Sequence, residues 1–242
     1  MTMTEGWYWQ DLETVGSTND YAAEQSFTPP AEKFVISAAE QTKGRGRRGR
    51  NWLGFAGNLF MSLALKGELK DINFLPFISS LALLQSIKAL KPDLEVTLKW
   101  PNDVLVQGAK VSGILLEKPE NEYIIIGIGV NIKASPDKGT ELLYSTISLD
   151  ECKIDIDRCS FLKLYLQRFN EIYAAYSEHG FGIVREQWLQ NADHFGGEIK
   201  VNMENTAEDG IFRGLDNNGA LILEQQGKIR KIYAGDVFIK RK

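Results

Sequence analysis

Three strand-like runs crowd into residues 95–132: EVTLKW (95–100), KVSGILLE (110–117) and YIIIGIGVNI (123–132). Each is rich in the β-branched and aliphatic residues that suit a pleated, partly buried surface. The gaps between them, 101–109 and 118–122, leave no room for the helical crossover that a parallel pair needs, so these strands are expected to be hairpin-connected. The first two are joined through PNDVLVQGA. Upstream, FVISAAEQ (34–41) and NLFMSLAL (58–65) also read as strands, whereas FLPFISSLALLQSIKAL (74–90) has apolar residues at 74, 77, 78, 81, 84 and 87, a helical spacing. A short helix is predicted over STNDYAAEQ (17–25), where hydroxyl and amide side chains can cap the first turn. A long one runs from Asp157, an N-cap, to His179, with Gly180 as its stop. Together these predict an α+β fold built on a mixed, largely antiparallel sheet flanked by helices.

From Gly196 onward the pattern changes to short strands with turn signals EDG (208–210), NNG (217–219) and QQG (225–227). This predicts a small closed β-barrel packed on the main domain, dividing the chain near Phe195 into 1–195 and 196–242. No apolar run approaches the ~18 residues of a membrane span, and MTMTEGWYWQDLE lacks the basic start and apolar stretch of a secretory signal, so a cytoplasmic location is expected. The formal charge of -4 argues against a general nucleic-acid binder. Cys152 and Cys159 match neither a zinc knuckle nor a CxxC pair and read as free thiols on a helix. His179 and His194 occupy neither a metal-ligand nor a triad-like setting, which disfavours histidine catalysis.

Against this acidic background, GRGRRGRNW (44–52) gathers four arginines and three glycines ahead of a tryptophan. The letters satisfy GxGxxG, but a dinucleotide turn runs from its strand into a helix and is followed by an acidic residue about 20 positions on. Here RNWLGFAGN follows, with no helical period, and a phosphate loop of the GxxxxGKS/T kind is absent. Two readings remain: a solvated basic loop or nucleic-acid arm, or a mobile loop that orders over an anionic ligand. Glycines let backbone amides approach phosphate oxygens, arginines supply forked charge-assisted hydrogen bonds, and Trp52 can stack or seal the lid. Partner motifs elsewhere decide between them. Ser17-Thr18-Asn19, Gln41, KWPND (99–103), Lys110 with GILLE (113–117) and GIGVN (127–131) occur in that order.

With these motifs the chain resembles the biotin protein ligases, also called biotin–acetyl-CoA-carboxylase ligases, over essentially its whole length; GRGRRGR paired with KWPND is very specific. The resemblance implies a catalytic domain like that of the class II aminoacyl-tRNA synthetases and biotin ligases, followed by an SH3-like barrel. Bifunctional members carry an N-terminal winged-helix DNA-binding domain; a chain reaching STN at position 17 resembles the monofunctional form, with no DNA binding and no membrane contact expected. Biotin, ATP and a biotin carboxyl carrier domain are the implied partners, with Mg²⁺ accompanying ATP. The implied chemistry is attack of biotin's carboxylate on the α-phosphorus of ATP, giving biotinyl-5′-AMP and pyrophosphate, then attack of a carrier lysine on that mixed anhydride. Neither reaction needs a protein nucleophile; both need charge neutralisation and positioning. Homodimers are common in the family, and edge strands could pair.

The resemblance also assigns residues. Ser17, Thr18, Asn19 and Gln41 are expected on the ureido ring of biotin, a neutral group with donors and an acceptor. Gly44, Arg45 and Arg47 fall on the biotin side of the loop, the two arginines meeting the carboxylate and later the α-phosphate. Arg48 and Arg50 are expected to face ATP, with Trp52 near the adenine. Lys110 is the principal catalytic candidate, bridging a carboxylate and a phosphate oxygen. Gly113, Gly127 and Gly129 would let biotin pass close to the sheet. Lys99, Asn102, Asp103 and Asn131 are expected on the ATP side, with Asp103 helping to hold Mg²⁺. Taken alone, STN is a helix cap, PND a plain turn and Lys110 a solubilising strand residue. Two rivals stay open: a lipoate or octanoate ligase, which shares the chemistry but has no ureido group to recognise, and a non-catalytic regulator that binds biotin or a nucleotide.

Overall fold

Strand β8, Tyr123–Val130, carries isoleucine at 124, 126 and 128 and glycine at 127 and 129. Side chains of a strand alternate between faces, so one face of β8 is bulky throughout and the other, which begins with Tyr123 and Ile125, is bare at Gly127 and Gly129. That division organises the catalytic region. The computed structural model describes residues 2–67, 71–136, 145–204 and 206–239. An eight-stranded sheet has the order β1-β2-β3-β4-β8-β7-β6-β5. Its members are β1 (Thr2–Thr4), β2 (Trp7–Val15), β3 (Lys33–Gln41), β4 (Leu59–Lys66), β5 (Val96–Lys99), β6 (Asp103–Val106), β7 (Ala109–Glu117) and β8. All pairings are antiparallel except β2 with β3, which run parallel.

The isoleucine face packs on helices α2 (Leu75–Leu90), α3 (Arg158–His179) and α4 (Phe181–Gln190), forming the main core with Met61, Leu63, Phe161, Tyr165 and Trp188. Trp188 also donates its Nε1 to Ser80 Oγ at 3.1 Å. On the opposite face, helix α1 (Thr18–Gln25) lays Ala22 over Phe34, Ile36, Ala64, Tyr123 and Ile125 in a smaller core. Beyond α1, Gly113 and Gly129 stand opposite one another in register, and Gly127 follows on the same face. Without side chains there, the sheet leaves a hollow.

The expected strands and the two long helices all occur, with boundaries shifted by one or two residues. Besides the short edge strand β1, three elements were not expected from the sequence. β2 pairs in parallel with β3 through the crossover helix α1, β6 forms inside the PNDVLVQGA connection, and α4 begins immediately after Gly180. Gly180, at φ +76°, ends α3 and starts α4, so the stop signal is also a corner. After α4, strands β9 (Glu198–Asn202), β10 (Ala207–Leu215), β11 (Leu221–Gln225), β12 (Lys228–Ile232) and β13 (Asp236–Ile239) form an antiparallel sheet of order β12-β11-β10-β9-β13. Among the described residues no ladder joins β12 to β13, so the five strands are an open sheet in their hydrogen bonding. This sheet docks on the catalytic region through Trp100, whose Nε1 donates to Gly219 O at 3.1 Å. No helix among the described residues is long and apolar enough to cross a membrane.

The N-cap of α3 closes the core helix as the sequence predicts: Asp157 Oδ1 accepts from the amides of Cys159 at 2.9 Å and Ser160 at 3.0 Å. Replacing Asp157 by Ala is expected to lower stability by about 1 kcal/mol, measured by urea denaturation with an unchanged m-value.

Candidate active site

The hollow on the glycine face is a cavity of about 390 Å³. Ser17, Thr18, Asn19, Gln41, Arg45, Arg47, Arg50, Trp52, Asn102, Asp103, Lys110, Gly113, Gly127, Gly129 and Asn131 all line it, from segments spread over more than a hundred residues. Of the expected site residues only Gly44, Arg48 and Lys99 lie outside its wall.

One end is polar and neutral. Ser17 caps α1 as expected, its Oγ accepting from Asp20 N at 3.4 Å. Gln41 Oε1 accepts from Thr18 N at 2.8 Å and Thr18 Oγ1 at 3.0 Å. Ser62, fully buried on β4, lies within 2.8 Å of Thr18 Oγ1 and donates to Asn19 Oδ1 at 2.6 Å. A Cβ at Gly127 would fall on the Asn19 amide. Gly127 is therefore required by Asn19, where the sequence reading made it room for a ligand.

The other end is cationic. In β7 the register slips between Leu105↔Lys110 and Val104↔Ser112. The extra residue puts Val111 into the main core and leaves Lys110 on the cavity side, the re-aiming that a bulge accomplishes. Lys110 N donates to Ser145 O at 2.8 Å, and its Nζ reaches Asp103 Oδ1 at 2.5 Å. The second carboxylate oxygen of Asp103 lies 3.3 Å from Lys99 Nζ, below the cavity wall. Burial pushes the Asp103 carboxyl upward, but Lys110 and Lys99 outweigh it and hold the group below its ordinary value. Burial likewise pulls Lys99 down, only partly offset by the Asp103 charge. Asp103 was expected to hold Mg²⁺. Both its oxygens instead face ammonium groups, and no cluster of three or more metal-ligating His, Cys, Asp or Glu occurs among the described residues. The donor set fits an ion-pair clamp and does not fit a metal site.

Over this cavity the 44–52 loop has a definite course. Gly46 N donates to Arg50 O at 2.6 Å and Trp52 N to Gly44 O at 3.0 Å. The tip turns through the left-handed region at Arg48 and Gly49, φ +55° and +71°. A Cβ at Gly44 would stand 2.6 Å from Trp52 O, so only glycine permits this closure. Trp52 lies across Gly129 and Gly113, where a Cβ at 113 would meet its ring at 2.9 Å. Lys110 Nζ stands 5.6 Å from the same ring centroid. The two glycines thus make room for an indole, and the tryptophan bears on Lys110. Its Nε1 is buried without a partner among the described residues.

The arginines divide. Arg47 donates to Asn102 Oδ1 at 3.1 Å and Gly235 O at 3.4 Å, Arg48 to Asp236 Oδ2 at 3.3 Å, and Arg50 to Asp236 Oδ1 at 3.1 Å. Three guanidiniums meet one carboxylate, which leaves uncompensated positive charge facing the cavity. Burial pulls Arg47 below its ordinary value despite Asp236. Asn102, expected on ATP, is committed at both ends of its amide, to Arg47 and to Ile114 O at 2.6 Å. Asn131 donates to Ile147 O at 3.3 Å. Arg45, expected on the acid, points away to Asp20 and Glu117. The sequence did not disclose Ser62 and Asp236 as parts of the site, nor Asp20 and Glu117, outside the cavity wall, as the partners of Arg45. Asp20 adjoins STN and Glu117 ends GILLE, so proximity to motifs was their only signal; Asp236 had none.

The Asp103 pairs set a pH dependence. A carboxyl whose folded value lies below its unfolded 3.8 stabilises the fold above that pH and loses its contribution as pH falls through the folded value. Asp103→Asn removes the carboxylate charge that two ammonium groups share in a largely buried setting and should cost about 3 kcal/mol at pH 7. In thermal melts from pH 7 to 2, the gap to wild type should shrink only below about pH 4.

Comparison with known proteins agrees with this geometry. Residues 12–131 match the biotin/lipoate A/B protein ligase family, and 194–240 match the biotin protein ligase C-terminal domain. A biotin–acetyl-CoA-carboxylase ligase of Paracoccus denitrificans is 37% identical over 94% of this chain and 98% of its own length. The bifunctional ligase/repressor of Bacillus subtilis is 32% identical over 93% of this chain and 72% of its own. The solved biotin protein ligase of Aquifex aeolicus, in complex with biotin and ATP, superposes with a TM-score of 0.84 at 28% identity, covering 97% of this chain and 99% of that one. Sharing more than a third of its residues with a full-length relative and this cavity with its motifs, the chain belongs to the biotin protein ligase family.

Proposed function

We infer that the protein is a biotin–carrier-protein ligase that makes biotinyl-5′-AMP from biotin and MgATP and passes biotin to a lysine of a carrier domain. The observation that carries this reading is the cavity's polarity: a neutral hydrogen-bonding end at Thr18, Asn19, Gln41 and Ser62, and a cationic end at Lys110 and the arginines. Biotin has a neutral ureido ring at one end and a carboxylate at the other, and ATP supplies further anions beyond that carboxylate. A lipoyl tail would leave the amide and hydroxyl groups of the polar end unmatched, which favours biotin over lipoate.

Within this reading Lys110 is the catalytic residue. Bringing a carboxylate against a polyphosphate joins two anions, and Lys110, held rigidly at the bulge, bridges them by moving from Asp103 toward the reacting oxygens. Asp103 keeps that ammonium aimed. Arg47, Arg48 and Arg50 offset the phosphates, and Asp236 holds them in readiness. Trp52 closes the centre of the cavity, excluding water from the mixed anhydride, and its buried Nε1 offers a donor to the ligand. We place the catalytic unit at 1–195 and the C-terminal unit at 196–242; Asp236 is the latter's contribution to the site.

Mass spectrometry of the protein with MgATP and biotin, with lipoate in parallel, should find biotinyl-AMP and pyrophosphate with biotin alone. No adenylate from either acid would leave a binding protein only. Lys110→Ala should slow adenylate formation by about 10²–10³-fold while the circular dichroism spectrum stays unchanged. Arg47→Gly should retain adenylate poorly, so that free biotinyl-AMP labels lysines of a bystander protein; labelling confined to the carrier would remove Arg47 from the lid.

A further inference from the structure

Arg45 turns its guanidinium away from the cationic end and forks it onto Asp20, Nη1 to Oδ2 and Nη2 to Oδ1, both at 2.6 Å. Nη2 also donates to Glu117 Oε1 at 3.1 Å. The three residues belong to separate parts of the fold: Asp20 to the first turn of α1, Glu117 to the end of β7, and Arg45 to the arginine-glycine loop. Glu117 is shared. Its Oε2 accepts from Asn19 Nδ2 at 2.7 Å, and Asn19 Oδ1 accepts from Ser62 Oγ at 2.6 Å. A continuous hydrogen-bond chain therefore runs from the buried floor of the polar end, through Asn19 and Glu117, to the loop.

Neither Asp20 nor Glu117 lines the cavity. Their carboxylates are directed to the loop and to Asn19. The forked geometry fixes direction as well as distance, so it constrains the loop more than a single-point ion pair would. Arg45's hydrogen bond holds the Asp20 carboxyl below its ordinary value against the opposing effect of burial, so the paired, charged form persists at neutral pH. At its far end the same loop is held by Asp236.

We propose that Asp20 and Glu117 are positioning residues for the lid: they clamp Arg45 so that residues 44–52 stay closed over the polar end, and Glu117 couples that closure to the orientation of the Asn19 amide. The proposal rests on the cavity being the biotinyl-adenylate site. A clamp of this kind retains the reactive adenylate between its formation and its transfer. It acts on retention, while Lys110 at the other end acts on the chemistry.

The test has two readouts on Asp20→Asn, Glu117→Gln, Arg45→Gln and the Asp20→Asn/Arg45→Gln double variant. Hydrogen exchange of the 44–52 amides, with no biotin or ATP added, reports loop opening. Release of biotinyl-AMP from the gel-filtered complex reports retention. Because the Asp20 and Arg45 side chains are 59% and 39% exposed, a gain of about fivefold in each rate is expected for Asp20→Asn, near the upper range for an exposed pair. Asp20→Glu should restore both rates, and the double variant should match Arg45→Gln alone. Adenylate formation by Asp20→Asn at saturating substrate should change less than twofold. Glu117→Gln should also weaken biotin binding, by releasing Asn19. Wild-type exchange and release in Asp20→Asn, or additive effects in the double variant, would overturn the clamp. Failure of the wild-type protein to form any adenylate would count against the functional reading alone, since the exchange data would still decide the clamp.

Discussion

Like charges converge at and just behind one end of the cavity, and carboxylates hold them there. Lys99 and Lys110 share Asp103, while Arg47, Arg48 and Arg50 share Asp236. Without these two acids, ammonium and guanidinium groups would repel one another out of a partly desolvated space. Neither acid balances its partners completely, and the residual positive charge is what a polyphosphate and a carboxylate can complete. An acidic protein can therefore concentrate positive charge at one place without becoming a general polyanion binder.

The sheet supplies the second constraint. Alternation along β8 devotes Ile124, Ile126 and Ile128 to the main core and Gly127 and Gly129 to the cavity, so a strand anchored in the core is also the floor of the site. Gly113, Gly127 and Gly129 leave space that Asn19 and Trp52 fill. The ligand thus meets an amide and an indole whose places are fixed by the backbone beneath them, which is the preorganisation that positioning catalysis depends on. The bulge at Val111 does the same for Lys110.

Much of this was legible before any coordinates. The helices over 75–90 and 158–179 follow from apolar spacing and from Asp157, and the central strands follow from their composition. β2 was not legible because WYWQDLETV is only partly covered and mixes charge with aromatics on its exposed side. β6 was hidden because four residues beside a PND turn carry too little periodicity, and α4 because Gly180 reads as an ending. The residues that motif order singled out, apart from Gly44, Arg48 and Lys99, come together on the wall of one cavity. Motif order did not disclose the partners of Arg45 and Asp103, since a motif records which residue types recur and not which neighbour each one faces.

The sequence by itself determined the fold class, the glycine and isoleucine division of β8, and the family to which the motifs belong, because periodicity and residue type are local properties. Only the tertiary structure decided that Asp236, from the far end of the chain, meets three loop arginines, that Asp103 bonds two lysines, and that Asp20 and Glu117 take Arg45. Those are pairings between charges distant in sequence, and a charge's partner is set by where the packed backbone brings it.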